Sequence, residues 1–192
     1  MAKSSEAYAG RVRIIAGIWK KSVLRFPAIG ELRPTPDRVR ETLFNWLGQD
    51  LSGWRCLDAF AGTGALGFEA ASRGAAQVTL VERDSALVAQ LNRTQEKLQA
   101  SNVRVIRGDG LAALKSQAAE SLDAIFLDPP FDAKLFDDAL SAASRALSPQ
   151  GFLYLEAPKS WSSEALQAIG LQLHRRLKAS MVHAHLLKRL LA

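Results

Sequence analysis

Apolar and polar positions change rhythm near residue 54. Upstream, two β-favouring runs, Val12–Ile15 and Val23–Phe26, flank the segment GIWKKS and predict a hairpin. A helical pattern follows in RPTPDRVRETLFNWLG. Val39, Leu43, Trp46 and Leu47 share one face, and Gly48 ends it. At its start Thr35 is placed to cap, with Pro36 in the first helical position and Asp37 in the first turn.

Downstream, short apolar runs alternate with amphipathic stretches. Strands are predicted at Arg55–Ala59, Gln77–Val81, Val103–Arg107, Leu122–Leu127 and Gly151–Glu156. Helices are predicted between them at Ala65–Ser72, Ser85–Ala100, Leu111–Gln117 and Ala133–Leu147. Such alternation implies an α/β fold: a mostly parallel sheet with helices on both faces. A helix near Ser162–Ala168 precedes two consecutive strands, Leu171–Lys178 and Met181–Lys188, which fit an antiparallel pair closing one edge. The organisation expected is a basic hairpin-and-helix extension over 1–50 and an α/β domain over 51–192.

Composition narrows the class. The chain has 192 residues, 48% of them hydrophobic and 23% charged, which suits one domain with a small appendage. No apolar stretch approaches the ~20 residues of a membrane helix, and MAKSSEAYAG lacks a signal-peptide core, so a cytoplasmic protein is expected. A single cysteine, Cys56, excludes an intramolecular disulfide, and no CxxC pair suggests a metal.

Charge is more informative by position. Residues 1–40 carry nine Lys/Arg against three acids, and residues 170–192 carry five against none. Between them, eleven basic residues face sixteen acids. A body flanked by two basic ends suits a polyanion held from the edges. Arg33, Arg38 and Arg40 cluster around the first helix start and are the candidate anion contacts.

The chemistry gathers at predicted strand ends. In LDAFAGTGALGFEA, Asp58 and Phe60 precede Gly62 and Gly64, which permit a tight turn and close approach by a ligand. Alone, this turn suits a nucleotide cofactor or a purely structural role. Glu82 ends the next strand, placed to accept from ribose hydroxyls, and Asp109 in IRGDG could accept from an adenine amine. Three consecutive strand ends of this kind are far more specific together than any one.

The fourth strand ends in LDPPF. Two prolines fix φ and stiffen the segment. The Asp128 carboxylate and the Pro129 carbonyl form a pair of acceptors suited to the hydrogens of an exocyclic amine, and Phe131 offers a face on which a base could stack. Elsewhere, His183 and His185 share one strand face but have no third ligand, which fits a surface or edge pair better than a metal site. Cys56 reads as core, and no G-x-S-x-G elbow supports serine catalysis.

These motifs (DAFAGTG, VER, RGD and DPPF) resemble class I S-adenosylmethionine-dependent methyltransferases acting on nucleobase amines. With RIIAG and RPTPDRVRETLFNWL upstream, nearly the whole chain resembles the RsmD-type 16S rRNA guanine-N2 methyltransferases. One departure is Pro36, where a second hydroxyl residue after Thr35 is expected. The resemblance implies a Rossmann-like seven-stranded sheet with an N-terminal hairpin extension, and transfer of methyl from S-adenosylmethionine to N2 of one guanine, number 966, in 16S rRNA.

Carried over, Gly62 and Gly64 would line the methionine part of the cofactor, Glu82 would hold the ribose and Asp109 the adenine. Asp58, Phe60 and Asp128 complete the expected cofactor-binding set. Asp128 and Pro129 would hold the guanine amine with Phe131 stacked on the base, and Arg33, Arg38 and Arg40 would face the RNA. The expected partner is 16S rRNA within an assembling or assembled 30S subunit, met by a monomer, with no metal. The alternatives are a DNA adenine-N6 or cytosine-N4 methyltransferase, a nicotinamide-dependent oxidoreductase, and a non-catalytic RNA-binding module.

Overall fold

The computed structural model describes residues 8–27, 29, 34–130, 133–179 and 182–190. Two strands, β1 (Tyr8–Arg13) and β2 (Val23–Pro27), pair antiparallel as a separate two-stranded sheet. Helix α1 (Asp37–Leu47) leads into the alternating part: β3 (Arg55–Asp58), α2 (Ala65–Ser72), β4 (Gln77–Glu82), α3 (Ser85–Leu98), β5 (Val103–Arg107), α4 (Gly110–Lys115), β6 (Leu122–Leu127) and α5 (Ala133–Ala146). The chain continues through β7 (Leu147–Ala157), α6 (Ser163–Ala168), β8 (Leu171–Ala179) and β9 (Val182–Arg189).

The main sheet has seven strands in the order β5-β4-β3-β6-β7-β9-β8. Its first five are parallel, and β9 pairs antiparallel with both β7 and β8. The predicted C-terminal pair therefore closes the sheet edge, with β8 outermost. His185 consequently lies on an inner strand, fully buried, with its Nε2 3.3 Å from the Trp161 backbone N–H. It is a core residue rather than a surface one.

Both faces are covered. On one, Val39, Leu43 and Phe44 of α1, Phe68 of α2 and Leu91 of α3 pack on Cys56, Leu80, Phe126 and Tyr154. On the other, Leu114, Phe136, Leu140, Ala143 and Leu166 from α4, α5 and α6 pack on Leu57, Ile125, Leu153 and Leu155. Val12, Ile14 and Leu24 of the hairpin region join the first cluster, so the N-terminal segment shares a core with the sheet.

Strand order puts the site where two crossovers diverge. β3 lies between β4 and β6, and the connections from β3 run one way while the return to β6 comes from the other side. The carboxyl ends of these strands border the crevice in which open α/β sheets take their ligands.

Candidate functional site

Beneath the rim formed by those strand ends lies a cavity of about 630 Å³. Its lining includes Asp58, Phe60, Gly62, Glu82, Asp109, Asp128 and Pro129. The turn after β3 shapes its floor. Gly64 adopts φ 77°, and a Cβ there would lie 2.6 Å from Leu91 Cδ2, so both backbone and packing require glycine. Gly110, beside Asp109, presses so close to β3 that a Cβ would approach the Ala59 carbonyl oxygen to 2.1 Å.

The carboxylates are held by short-range contacts. Glu82 Oε2 accepts from the Gly62 N–H at 2.9 Å, while its Oε1 accepts from the amides of Arg83 and Asp84. Asp109 Oδ1 caps α4 through the Ala112 N–H at 2.8 Å, and Asp58 Oδ2 accepts from the Gly67 N–H at 3.1 Å. Asp58 is buried, and its pKa is pushed up to about 7, chiefly by desolvation; the Gly67 amide opposes this and the charge of Glu82 adds to it.

Asp128 is strongly perturbed. Burial, followed by the charges of Glu156 and Asp58, raises its pKa to about 8. Pro129 beside it is buried, and Pro130 is exposed. Phe131 lies outside the described residues.

Sequence reasoning missed a second acid here. Glu156, near the end of β7, sits one position beyond the Leu127–Leu155 pair and hence beside Asp128 across two adjacent strands. It is 6% exposed, and its Oε1 accepts from both Thr35 Oγ1 and the Tyr154 hydroxyl at 2.8 Å. Burial raises its pKa against the opposing effect of those two hydroxyls. The only signal in the sequence was a glutamate in an otherwise apolar strand, FLYLEA. The contact with Thr35 spans 121 positions and has no local signature.

That contact corrects the expected cap. Thr35 makes no capping bond: Pro36, expected at the first helical position, is itself the N-cap of α1 and has no side chain to cap with, while the Thr35 hydroxyl is committed to Glu156.

Arg40 also needs correction, since it does not face solvent. It is 0% exposed, donating to the Thr35 carbonyl at 3.3 Å, the Arg13 carbonyl at 3.0 Å, Asp37 at 2.6 Å and Glu69 at 3.4 Å. Glu69, equally buried, accepts from the Ile15 and Ala16 amides and from Arg73. A buried guanidinium needs such partners, and here they join the hairpin, the Pro34–Pro36 strap that leads into α1, and the α/β domain. Arg38 is exposed, and Arg33 lies outside the described residues. No group of metal-ligating side chains occurs among the described residues.

Similarity to known proteins identifies the family. The model of the family described as "Conserved hypothetical protein 95" matches residues 12–188. Ribosomal RNA small subunit methyltransferase D of Escherichia coli is 37% identical, covering 98% of this chain and 96% of that protein. The chain belongs to the RsmD family. The Haemophilus influenzae protein of the same name is 43% identical over 78% of this chain and 80% of its own length. Among solved structures, the yhhF protein of Escherichia coli superposes with a TM-score of 0.81 at 38% identity, covering 94% of this chain and 98% of that one.

The fold is therefore that of the class I methyltransferases, and the nicotinamide reading of the glycine turn falls away. S-adenosylmethionine fits the residues present: a glycine turn open to close approach, two oriented carboxylates at successive strand ends, and a cavity joining them to Asp128.

Proposed function

We propose that this RsmD-family protein methylates the exocyclic N2 of a guanine in small-subunit rRNA, with guanine 966 the nucleotide the family resemblance implies. The observation that carries the reading is the half-buried Asp128 carboxyl, next to the stiff Pro129–Pro130 pair and opening into the cofactor cavity. When bound, S-adenosylmethionine supplies an electrophilic sulfonium methyl and leaves as a neutral thioether. Gly62, in the turn that Gly64 makes possible, would border its methionine part, Glu82 would hold its ribose and Asp109 its adenine.

The residues of this chain then position the amine. The N2 lone pair of guanine is delocalised into the ring, which makes it a poor nucleophile. Acceptors at Asp128 and the Pro129 carbonyl draw its hydrogens aside and favour a tetrahedral nitrogen aimed at the methyl group. As the carbon–nitrogen bond forms, one N–H proton passes to the Asp128 carboxylate and from there to water. A carboxyl with pKa near 8 accepts such a proton more readily than an ordinary one. Phe131 supplies a stacking face, and Arg38 with Arg33 meets the RNA backbone.

The test is incubation with labelled S-adenosylmethionine and either naked 16S rRNA or 30S particles lacking the modification, followed by nucleoside mass mapping. N2-methylguanosine at one position is the expected product. Label on adenine N6 or cytosine N4, or on neither RNA form, overturns the reading.

A further inference from the structure

Thr35, at one end of the Thr35–Glu156 contact, lines the cavity. Thr35 lines the same cavity as Asp128 and Pro129, whereas Tyr154, the other hydroxyl on Glu156, is only 1% exposed and contributes nothing to the lining. A hydroxyl has one proton to give and lone pairs with which to accept. The Thr35 proton is committed to the Glu156 carboxyl at 2.8 Å. Towards the cavity, Thr35 Oγ1 can therefore only accept.

The hydroxyl is also fixed in place. The Thr35 backbone carbonyl takes a bond from the buried Arg40, and Pro34 and Pro36 flank it with restricted φ. Arg40 is in turn anchored on Glu69 and Arg13. Thr35 is thus a rigid acceptor beside the two acceptors of the amine clamp.

Nucleobases differ in what they present next to an exocyclic amine. Guanine has a ring N1–H adjacent to its 2-amine, so those two neighbouring positions are both donors. Adenine and cytosine have a bare ring nitrogen, an acceptor, next to theirs. Acceptors set against the amine and this ring position pair with both in guanine and set lone pair against lone pair at the ring nitrogen of the other two. Leaving a buried polar atom unpaired, or facing its like, is the strongest way for a site to reject a near relative.

We infer that Thr35, oriented by Glu156, is a specificity-determining residue that accepts the N1–H of the target guanine and discriminates against adenine and cytosine. The inference rests on the proposed guanine-N2 reading and adds to it the atom that reads the base. It also gives Arg40 a part in recognition, at one remove, as the residue that holds the Thr35 backbone.

The experiment uses small-subunit particles whose 16S rRNA is ligated from segments carrying guanine or 2-aminopurine at the target. 2-Aminopurine keeps the 2-amine but has a bare N1. Single-turnover methylation is measured for the wild type, Thr35→Val and Thr35→Ser, with S-adenosylmethionine affinity measured in parallel. The wild type should prefer guanine by about thirtyfold or more. Thr35→Val should slow guanine by about tenfold and shrink the preference to roughly threefold, at unchanged cofactor affinity. Thr35→Ser, which keeps the hydroxyl, should restore the preference.

Equal wild-type rates on the two bases overturn the inference without recourse to any variant. So does a Thr35→Val protein that keeps the full preference, or a Thr35→Ser protein that behaves like it. Absence of any N2-methylguanosine from the wild type on guanine-containing particles is a different failure: it removes the underlying guanine-N2 reading.

Discussion

The carboxyl rim of the sheet and the strap at Pro34–Pro36 contribute to the same cavity by opposite means. At the rim, backbone amides orient the carboxylates, several of them within three residues and the Gly62 amide on Glu82 twenty positions away. Glu82 is held by Arg83 and Asp84 beside it, and Asp109 by Ala112 three positions on. The strap depends on side chains from further away: Glu156, 121 positions off, and Arg40, five positions on, whose other partners are Asp37, Glu69 and the Arg13 carbonyl. Local chemistry builds the side proposed to hold the cofactor; buried charges and one hydroxyl build the side proposed to meet the base. The rim should therefore tolerate single substitutions with local losses, whereas the supports of the strap should fail together.

The largest effect is expected at that support. Glu69 receives two guanidinium groups and two backbone amides in a fully buried position. Glu69→Ala strands the Ile15 and Ala16 amides and takes the Glu69 ion pair from Arg40 and Arg73, and removing one partner of a buried ionic network costs about 3–5 kcal/mol. Urea unfolding should show that loss. A loss below about 1 kcal/mol would mean that water already serves these groups, and the contrast between strap and rim would collapse.

At the rim the expected loss is in rate rather than stability. Asp128→Ala removes the clamp's carboxylate from a strand end, with the rest of the cavity intact. Methylation should fall by about 10²–10³-fold, while S-adenosylmethionine affinity stays within a few-fold. Unchanged single-turnover rates would remove Asp128 from the reaction.

How much of this was readable in the sequence follows the same division. The boundaries of α2, β5 and β6 coincide with the apolar runs, since each segment's own pattern decides them. Glycine turn, Glu82, Asp109 and Asp128 share one cavity because strand order brings consecutive carboxyl ends together. Arg40 misled because its position among Arg33, Arg38 and Asp37 resembles a solvated basic face; only the packing of α2 against α1 and the hairpin reveals a buried partner for it. Thr35 misled because a threonine before a helix ordinarily caps it, and nothing nearby announces a carboxylate from β7. His185 was assigned to an edge for want of the strand order, which places β8 outside it.

A smaller effect couples the two regions. The charge of Glu156 is one cause of the raised Asp128 pKa, with burial the larger cause and Asp58 the lesser. Tyr154 and Thr35 face Glu156 as neutral donors. Because the clamp needs Asp128 as a carboxylate, the single-turnover rate should rise with pH through its pKa. Glu156→Gln removes one negative neighbour, so less protonation of Asp128 is favoured and the rate profile should move to lower pH by about half a unit. Its amide oxygen still accepts from Thr35, so the preference for guanine should survive. A profile that moves upward, or not at all, would detach Glu156 from Asp128.

The smallest effect separates two arginines two positions apart. Arg38 is exposed on α1 and Arg40 is fully buried beside it. If Arg38 meets an RNA phosphate, Arg38→Ala should weaken RNA binding about threefold and reduce the slope of log affinity against log salt by about one, leaving cofactor binding alone. Arg40→Met should lower stability and leave that slope unchanged in the protein that remains folded, since a buried guanidinium releases no counterion when RNA arrives. Equal slopes for wild type and Arg38→Ala would place Arg38 in solvent even in the complex. A reduced slope for Arg40→Met would show that the strap supports part of the RNA surface as well as the base-reading hydroxyl. The two salt slopes thus ask whether helix start and strap are one recognition surface or two.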